Sequence, residues 1–225
     1  MLPATEAIAA ELSIYGLILR GGFIFGAEEE APPGPSGAPA KSALLVGQAG
    51  SAPWPHFLKW RASQGGELKN PLDTWAREVI GAVAEKFGAR AVSPSDRPYL
   101  PFQRWAMRAE GLRPSPLGIL MHPQYGLWHA YRGALLFDAE VVVEPSRDGV
   151  HLCDLCEGKP CLKPCPVGAY SEAGFAHQDC LTHVCGVLGE PCLEGGCLDR
   201  NACPYGTGYR YSADEQAFHM AAFAR

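Results

Sequence analysis

Residues 153 to 166 read Cys153-Asp154-Leu155-Cys156-Glu157-Gly158-Lys159-Pro160-Cys161-Leu162-Lys163-Pro164-Cys165-Pro166, a C-x2-C-x4-C-x3-C-P pattern. All nine cysteines of the 225-residue chain lie between Cys153 and Cys203, so residues 1 to 152 contain none. Part of the run is echoed downstream. Pro160-Cys161-Leu162 returns as Pro191-Cys192-Leu193, and Cys165-Pro166-Val167-Gly168 returns as Cys203-Pro204-Tyr205-Gly206. Charge changes at the same place: acids and bases number 15 and 14 over residues 1 to 150, but 9 and 5 over residues 151 to 225. The sequence therefore predicts two domains, 1 to 150 and 151 to 225.

Hydrophobic residues make up 47% and charged residues 19%, as in a folded globular protein, which excludes wholesale disorder. The net charge of −5 offers no footprint for nucleic acid or an anionic membrane. No apolar run reaches the ~20 residues that span a bilayer, and Met1-Leu2-Pro3-Ala4-Thr5-Glu6 lacks a basic leader before an apolar stretch. The chain reads as soluble and cytoplasmic, with no membrane or nucleic-acid partner.

The 153 to 166 run is close to the bacterial ferredoxin pattern C-x2-C-x2-C-x3-C-P, in which three thiolates of one tight loop bind one cubane cluster and the fourth binds another. Two extra residues between Cys156 and Cys161 make this loop bulge. The downstream echo fits a two-cluster module with crossed ligands. One 4Fe-4S cluster would then take Cys153, Cys156, Cys161 and Cys203; the other would take Cys165, Cys192, Cys197 and one of Cys180 or Cys185. Two clusters are favoured over one. A disulfide framework competes, but it needs an oxidising compartment and an even thiol count. Structural zinc also competes, although only Cys153 and Cys156 have the usual paired spacing. His177 and His183 flank Cys180 and offer imidazole ligands of the Rieske kind, which the number of available thiols makes unnecessary.

The first domain alternates helix and strand. Helices are expected over 5–16, 71–87 (capped by Asn70, with Leu72, Trp75, Val79 and Val83 on one face) and 102–109. Strands are expected over 17–25, 42–47, 89–92, 117–121 and 131–143, with 28–39 a mobile surface loop. All five tryptophans fall in this domain and read as core or pocket wall. A last helix within 209–225 should pack back on it.

An α/β (α+β) domain followed by this cysteine module resembles the cobalamin-dependent epoxyqueuosine reductases and their reductive-dehalogenase relatives. The likeness rests on Leu117-Gly118-Ile119-Leu120-Met121-His122-Pro123-Gln124-Tyr125-Gly126-Leu127-Trp128 and on Cys153 through Cys203. It implies a nitroreductase-like cobalamin-binding fold carrying a C-terminal ferredoxin-like module. A lone cysteine follows the first Cys-Pro of that module by about fifteen residues, which matches Cys180 and leaves Cys185 as the spare. The family's catalytic acid corresponds to Asp96 in Ser93-Pro94-Ser95-Asp96-Arg97-Pro98, a candidate proton donor, while His122, Tyr125 and Trp128 would line a corrin or flavin pocket. As plain chemistry, Asp96 beside Arg97 reads as a turn residue with an ion-pair neighbour, and His122 and His129 as hydrogen-bonded structural histidines. Three functions follow: an electron-transfer iron-sulfur protein serving a redox partner or a small-molecule substrate, a cobalamin- or flavin-dependent reductase, and a zinc-stapled binding module.

Overall fold

The computed structural model describes residues 3–66, 68–141, 149–171 and 173–225. Along the first half the elements are α1 (Pro3–Ser13), β1 (Ile18–Ile24), β2 (Ser42–Ala49), α2 (Trp54–Ala62), α3 (Pro71–Lys86), β3 (Arg90–Val92), α4 (Phe102–Glu110), β4 (Arg113–Pro114), β5 (Leu120–Met121) and β6 (His129–Phe137). Then come α5 (Leu152–Leu155), β7 (Tyr170–Ser171), β8 (Gly174–Phe175), α6 (His177–Val184), α7 (Glu190–Gly195), α8 (Leu198–Asn201) and α9 (Ala213–Phe223). These elements form two compact units, Met1–Gly111 with Ala130–Asp148 and Leu112–His129 with Gly149–Arg225. The expected single cut near residue 150 is thus replaced by an exchange: residues 112–129 belong with the cysteines.

The first unit is mixed α/β, with a four-stranded sheet in the order β1-β2-β6-β3. β1 pairs antiparallel with β2, and β3 with β6. Ser42 to Gln48 are all buried, which explains why β2 reads as an unbroken apolar run instead of an alternating one. α4 packs on β1 and β2, α3 on β3, and α1 on β1. α3 buries Leu72, Trp75, Val79 and Val83 as its spacing requires. Asn70 precedes it, but its side chain makes no capping bond; the carbonyl of Asn70 instead accepts the Thr74 N–H at 3.0 Å.

The proline-rich stretch is folded back on itself and does not behave as the free loop expected. Gly34 N–H donates to Ala38 O (2.7 Å), Ser36 N–H to the Asp138 carboxylate (3.0 Å) and Arg90 to Pro33 O (2.7 Å). Prolines lose a donor but keep an acceptor, and here other groups supply the donors. Only Leu120 and Met121 of the expected 117–121 strand pair; Gly118, at φ +73°, makes the preceding turn. The strand expected to Val143 ends at Phe137, and Val142 and Val143 lie outside the described residues.

In the second unit, residues 112–129 are held against the cysteine segment by main-chain contact. A Cβ on Gly126 (φ +58°) would sit 2.2 Å from Tyr205 O, so only glycine permits that approach. Trp128 is fully buried against Tyr211, with ring centroids 5.4 Å apart. Four of the five tryptophans are buried; Trp60 is the exception and donates to Glu78 at 2.8 Å. α9 covers Ala213–Phe223 and packs on α7 within its own unit.

One buried ion pair pins β1 to α4. Arg20, 1% exposed, donates twice to Glu110 (2.9 and 2.8 Å), and the Tyr131 hydroxyl donates to the same carboxylate. Glu110→Ala would leave the guanidinium uncompensated, so its urea midpoint should drop by the equivalent of about 3–5 kcal/mol; an unchanged midpoint would show that Arg20 reaches water.

Candidate metal centres

Cys153 lies on α5, Cys156 at its C-terminal end, Cys161 in the 3₁₀ turn Pro160–Leu162, and Cys203 just after α8. The bulge caused by the two extra residues is built by Gly158 (φ +68°) and Lys159, a rare left-handed non-glycine at φ 39°. The Lys159 ammonium donates to Cys153 O, which ties the bulge down. Cys153, Cys161 and Cys203 pack together with Leu117, Met121 and Leu127. Burial pushes the Cys153 thiol up to about 11; the thiols of Cys203, Cys161 and Cys156 push the same way, against Lys159. Burial likewise raises Cys161 and Cys203, and each also feels Cys156.

The second group surrounds a cavity of about 190 Å³. Cys165, Cys180, Cys192 and Cys197 line it, with Tyr170, Phe175, Val184, Leu198, Met220 and Phe223. Burial pushes Cys180 up to about 11, reinforced by Cys197, Cys165 and Cys192. Sulfur in this group meets main-chain donors. The Ala169 N–H lies 3.4 Å from Cys165 Sγ, and Cys197 stands at the N-cap of α8, where burial raises its thiol and the N–H groups of Arg200 and Asp199 pull the other way. The carboxylate of Asp199, 1% exposed, accepts the Cys165 N–H at 2.8 Å. Asp199 has no signal in the cysteine spacing, since only the fold shows that its neighbour across the turn is Cys165.

Eight thiols thus fall into two sets of four, and α8 joins them, with Cys197 at its start and Cys203 after its end. Cys185 belongs to neither set: it is exposed, with Sγ 3.7 Å from Ala224 O. Among the described residues no three His, Cys, Asp or Glu side chains gather tightly enough to chelate one ion. A cubane asks for a wider arrangement, because each thiolate binds a different iron.

The remaining candidates are spread over both units. Asp96, in the first unit, accepts the Ser93 N–H (2.7 Å) as a turn residue does, but its ion-pair partner is Arg77 (3.2 Å) and not the adjacent Arg97, which lies over the Tyr99 ring at 5.1 Å. The other three lie in the second unit. His122 Nδ1 accepts the N–H groups of Gln124 and Tyr125, both at 3.1 Å, and its ring stacks on Tyr125 at 4.0 Å. Trp128, with no exposed surface, lies under the Arg200 guanidinium at 4.4 Å. His129 Nε2 donates to Leu120 O at 2.8 Å. His183 lines the cavity near Cys180, whereas the His177 ring packs on Phe223 at 5.2 Å. Arg200 is clamped between Trp128 and Tyr211 and donates to Leu127 O at 2.6 Å; the cysteine spacing carries no signal for it, because Trp128 and Leu127 lie far away along the chain.

No family model matches the chain, and no curated protein matches it. Solved structures do. One neighbour is CblC, a B12-trafficking protein of C. elegans and a homologue of human MMACHC, aligned over 100% of this chain and 97% of that one at 15% identity and a TM-score of 0.50. Another is epoxyqueuosine reductase from Bacillus subtilis, aligned over 77% of this chain at 19% identity and a TM-score of 0.46. The alignment spans half the length of that reductase. The similarity to CblC is one of fold. Among the described residues no helix is long and apolar enough to cross a membrane.

In metal-free, reduced protein the raised thiols should resist alkylation. At pH 8, peptide mapping after iodoacetamide should find exposed Cys185 modified first, with Cys153 and Cys180 reacting only as the pH approaches 11. A folded pKa raised above the free value also means that the metal-free fold loses stability as pH climbs from about 9 towards 11.

Proposed function

We propose that this chain is an iron-sulfur redox protein holding two 4Fe-4S clusters, one on Cys153, Cys156, Cys161 and Cys203 and the other on Cys165, Cys180, Cys192 and Cys197. The observation that carries this reading is the sorting of eight buried or half-buried thiols into two sets of four, with the exposed ninth left outside. The donor set fits. It is all thiol, its surroundings are mostly apolar, and main-chain N–H groups lie near Cys165, Cys197 and Cys203, as electron-rich sulfur requires. Bound there, the clusters supply one-electron transfer. The protein's own part would be to surround the thiolates with largely apolar side chains and to fix the Cys165 turn through Asp199.

A second reading, in which the first unit also holds a corrin or a flavin that receives these electrons, is supported by the full-length similarity of fold to a B12-trafficking protein. Of the residues the resemblance implied, only Asp96 lies in that unit, whereas His122, Tyr125 and Trp128 belong to the second. Their present bonds are those of structural groups, so it rests on the fold.

Anaerobically purified or reconstituted protein should contain about eight irons and eight sulfides per chain and give cubane EPR signals on reduction. Cys156→Ser and Cys192→Ser should each lower iron towards about four, and Cys185→Ser should leave it unchanged. Stoichiometric zinc without sulfide would select the zinc-stapled module instead. Corrin or flavin absorbance co-eluting with the protein in gel filtration would establish the second reading, and clusters without retained cofactor would leave the carrier.

A further inference from the structure

The 3₁₀ turn Val187–Gly189 joins α6, which carries Cys180, to α7, which carries Cys192. Its two large side chains point into water: Val187 is 96% exposed and Leu188 81%. The turn is nonetheless firmly seated. Gly186 N–H donates to His183 O at 3.0 Å, Gly189 N–H to Gly186 O at 3.0 Å, and a Cβ on Gly189 would lie 2.2 Å from His183 O. The residues on which it sits, His183 and Val184, line the cavity of the second cysteine set. Two aliphatic side chains held out by a glycine-locked turn are a standing cost in water that contact with another surface would recover.

The charge around the turn restricts what that surface can be. Glu190 follows at once, Glu194 lies one helical turn further along α7, and both are exposed. No lysine or arginine occurs between Lys163 and Arg200. A second copy of the chain would bring the same acids against these, so self-association through this face is opposed by like charge.

We infer that the Val187–Leu188 tip, with Glu190 and Glu194, docks a basic redox protein and that one electron passes between its redox centre and the Cys165/Cys180/Cys192/Cys197 cluster. This rests on the iron-sulfur reading above and adds to it the point of contact and the partner's charge. Apolar contact at the tip supplies adhesion, and the flanking acids steer the encounter.

The test uses full-length, cluster-loaded, reduced protein mixed anaerobically with ferricytochrome c, a basic haem protein, or with neutral benzoquinone. In the first reaction one electron leaves the protein and reduces ferric haem to ferrous haem. Val187→Ser with Leu188→Ser, and separately Glu190→Lys with Glu194→Lys, should each slow the cytochrome reaction about tenfold, and added salt should slow the unmodified protein. Benzoquinone rates should be unchanged. Glu28→Lys with Glu30→Lys, an equal charge change on exposed residues of the first unit, should react as the unmodified protein does. Equal slowing by both oxidants, wild-type rates in the tip variants, or equal slowing by the Glu28 and Glu30 control would overturn the assignment. So would a dimer in sedimentation that the Val187 and Leu188 variant abolishes. Iron and sulfide assays on each sample separate the two failures: cluster-free protein ends the iron-sulfur reading and this one with it, whereas loaded variants at wild-type rates end this one alone.

Discussion

Gathering thiols out of water is the constraint on which the second unit is built. Each buried sulfur loses hydration in its charged form, and each neighbouring sulfur adds like-charge repulsion; both act on Cys153 and Cys180. Left metal-free, such a set holds its protons and gains little. With a cationic centre among them the same four groups become ligands, and the burial that opposed their ionisation now strengthens the attraction. Short elements place a sulfur at their ends, positive-φ residues turn the chain tightly, and main-chain N–H groups face Cys165, Cys197 and Cys203.

α8 shows how economical the arrangement is. Four residues separate a capping cysteine of one set from the turn that delivers a cysteine of the other, and two of them reach in opposite directions into buried surroundings. Asp199 reaches across to the Cys165 N–H, while Arg200 is held between Trp128 and Tyr211. The first unit solves a different problem. Its sheet is covered by helices, and among the described residues its one deeply buried charge, Arg20, is matched in fork geometry by Glu110.

Much of this was legible beforehand, and the reasons are physical. Helix α3 announces itself by the 3.6-residue recurrence of Leu72, Trp75, Val79 and Val83, because a surface helix must bury one stripe. β2 announces itself as an apolar run too short for a helix, and the fold buries it on both sides. The failures share a cause as well. Asn70 has the right chemistry for a cap, but the bond depends on backbone geometry that residue type does not determine. The segment 28–39 looked free because its own donors were few, while the groups that pin it, Asp138 and Arg90, come from far along the chain.

By itself, the sequence determined the local chemistry: that thiols crowd into 51 residues, that their spacing approaches a cluster-binding run, and that helices and strands precede them. Tertiary structure decided the partnerships. It sorted Cys180 from Cys185, brought Cys203 to Cys153, and moved residues 112–129 out of the first unit through the close passage of Gly126 by Tyr205. Spacing constrains only residues a few bonds apart, whereas a ligand set or a unit boundary is fixed by which distant surfaces can exclude water together.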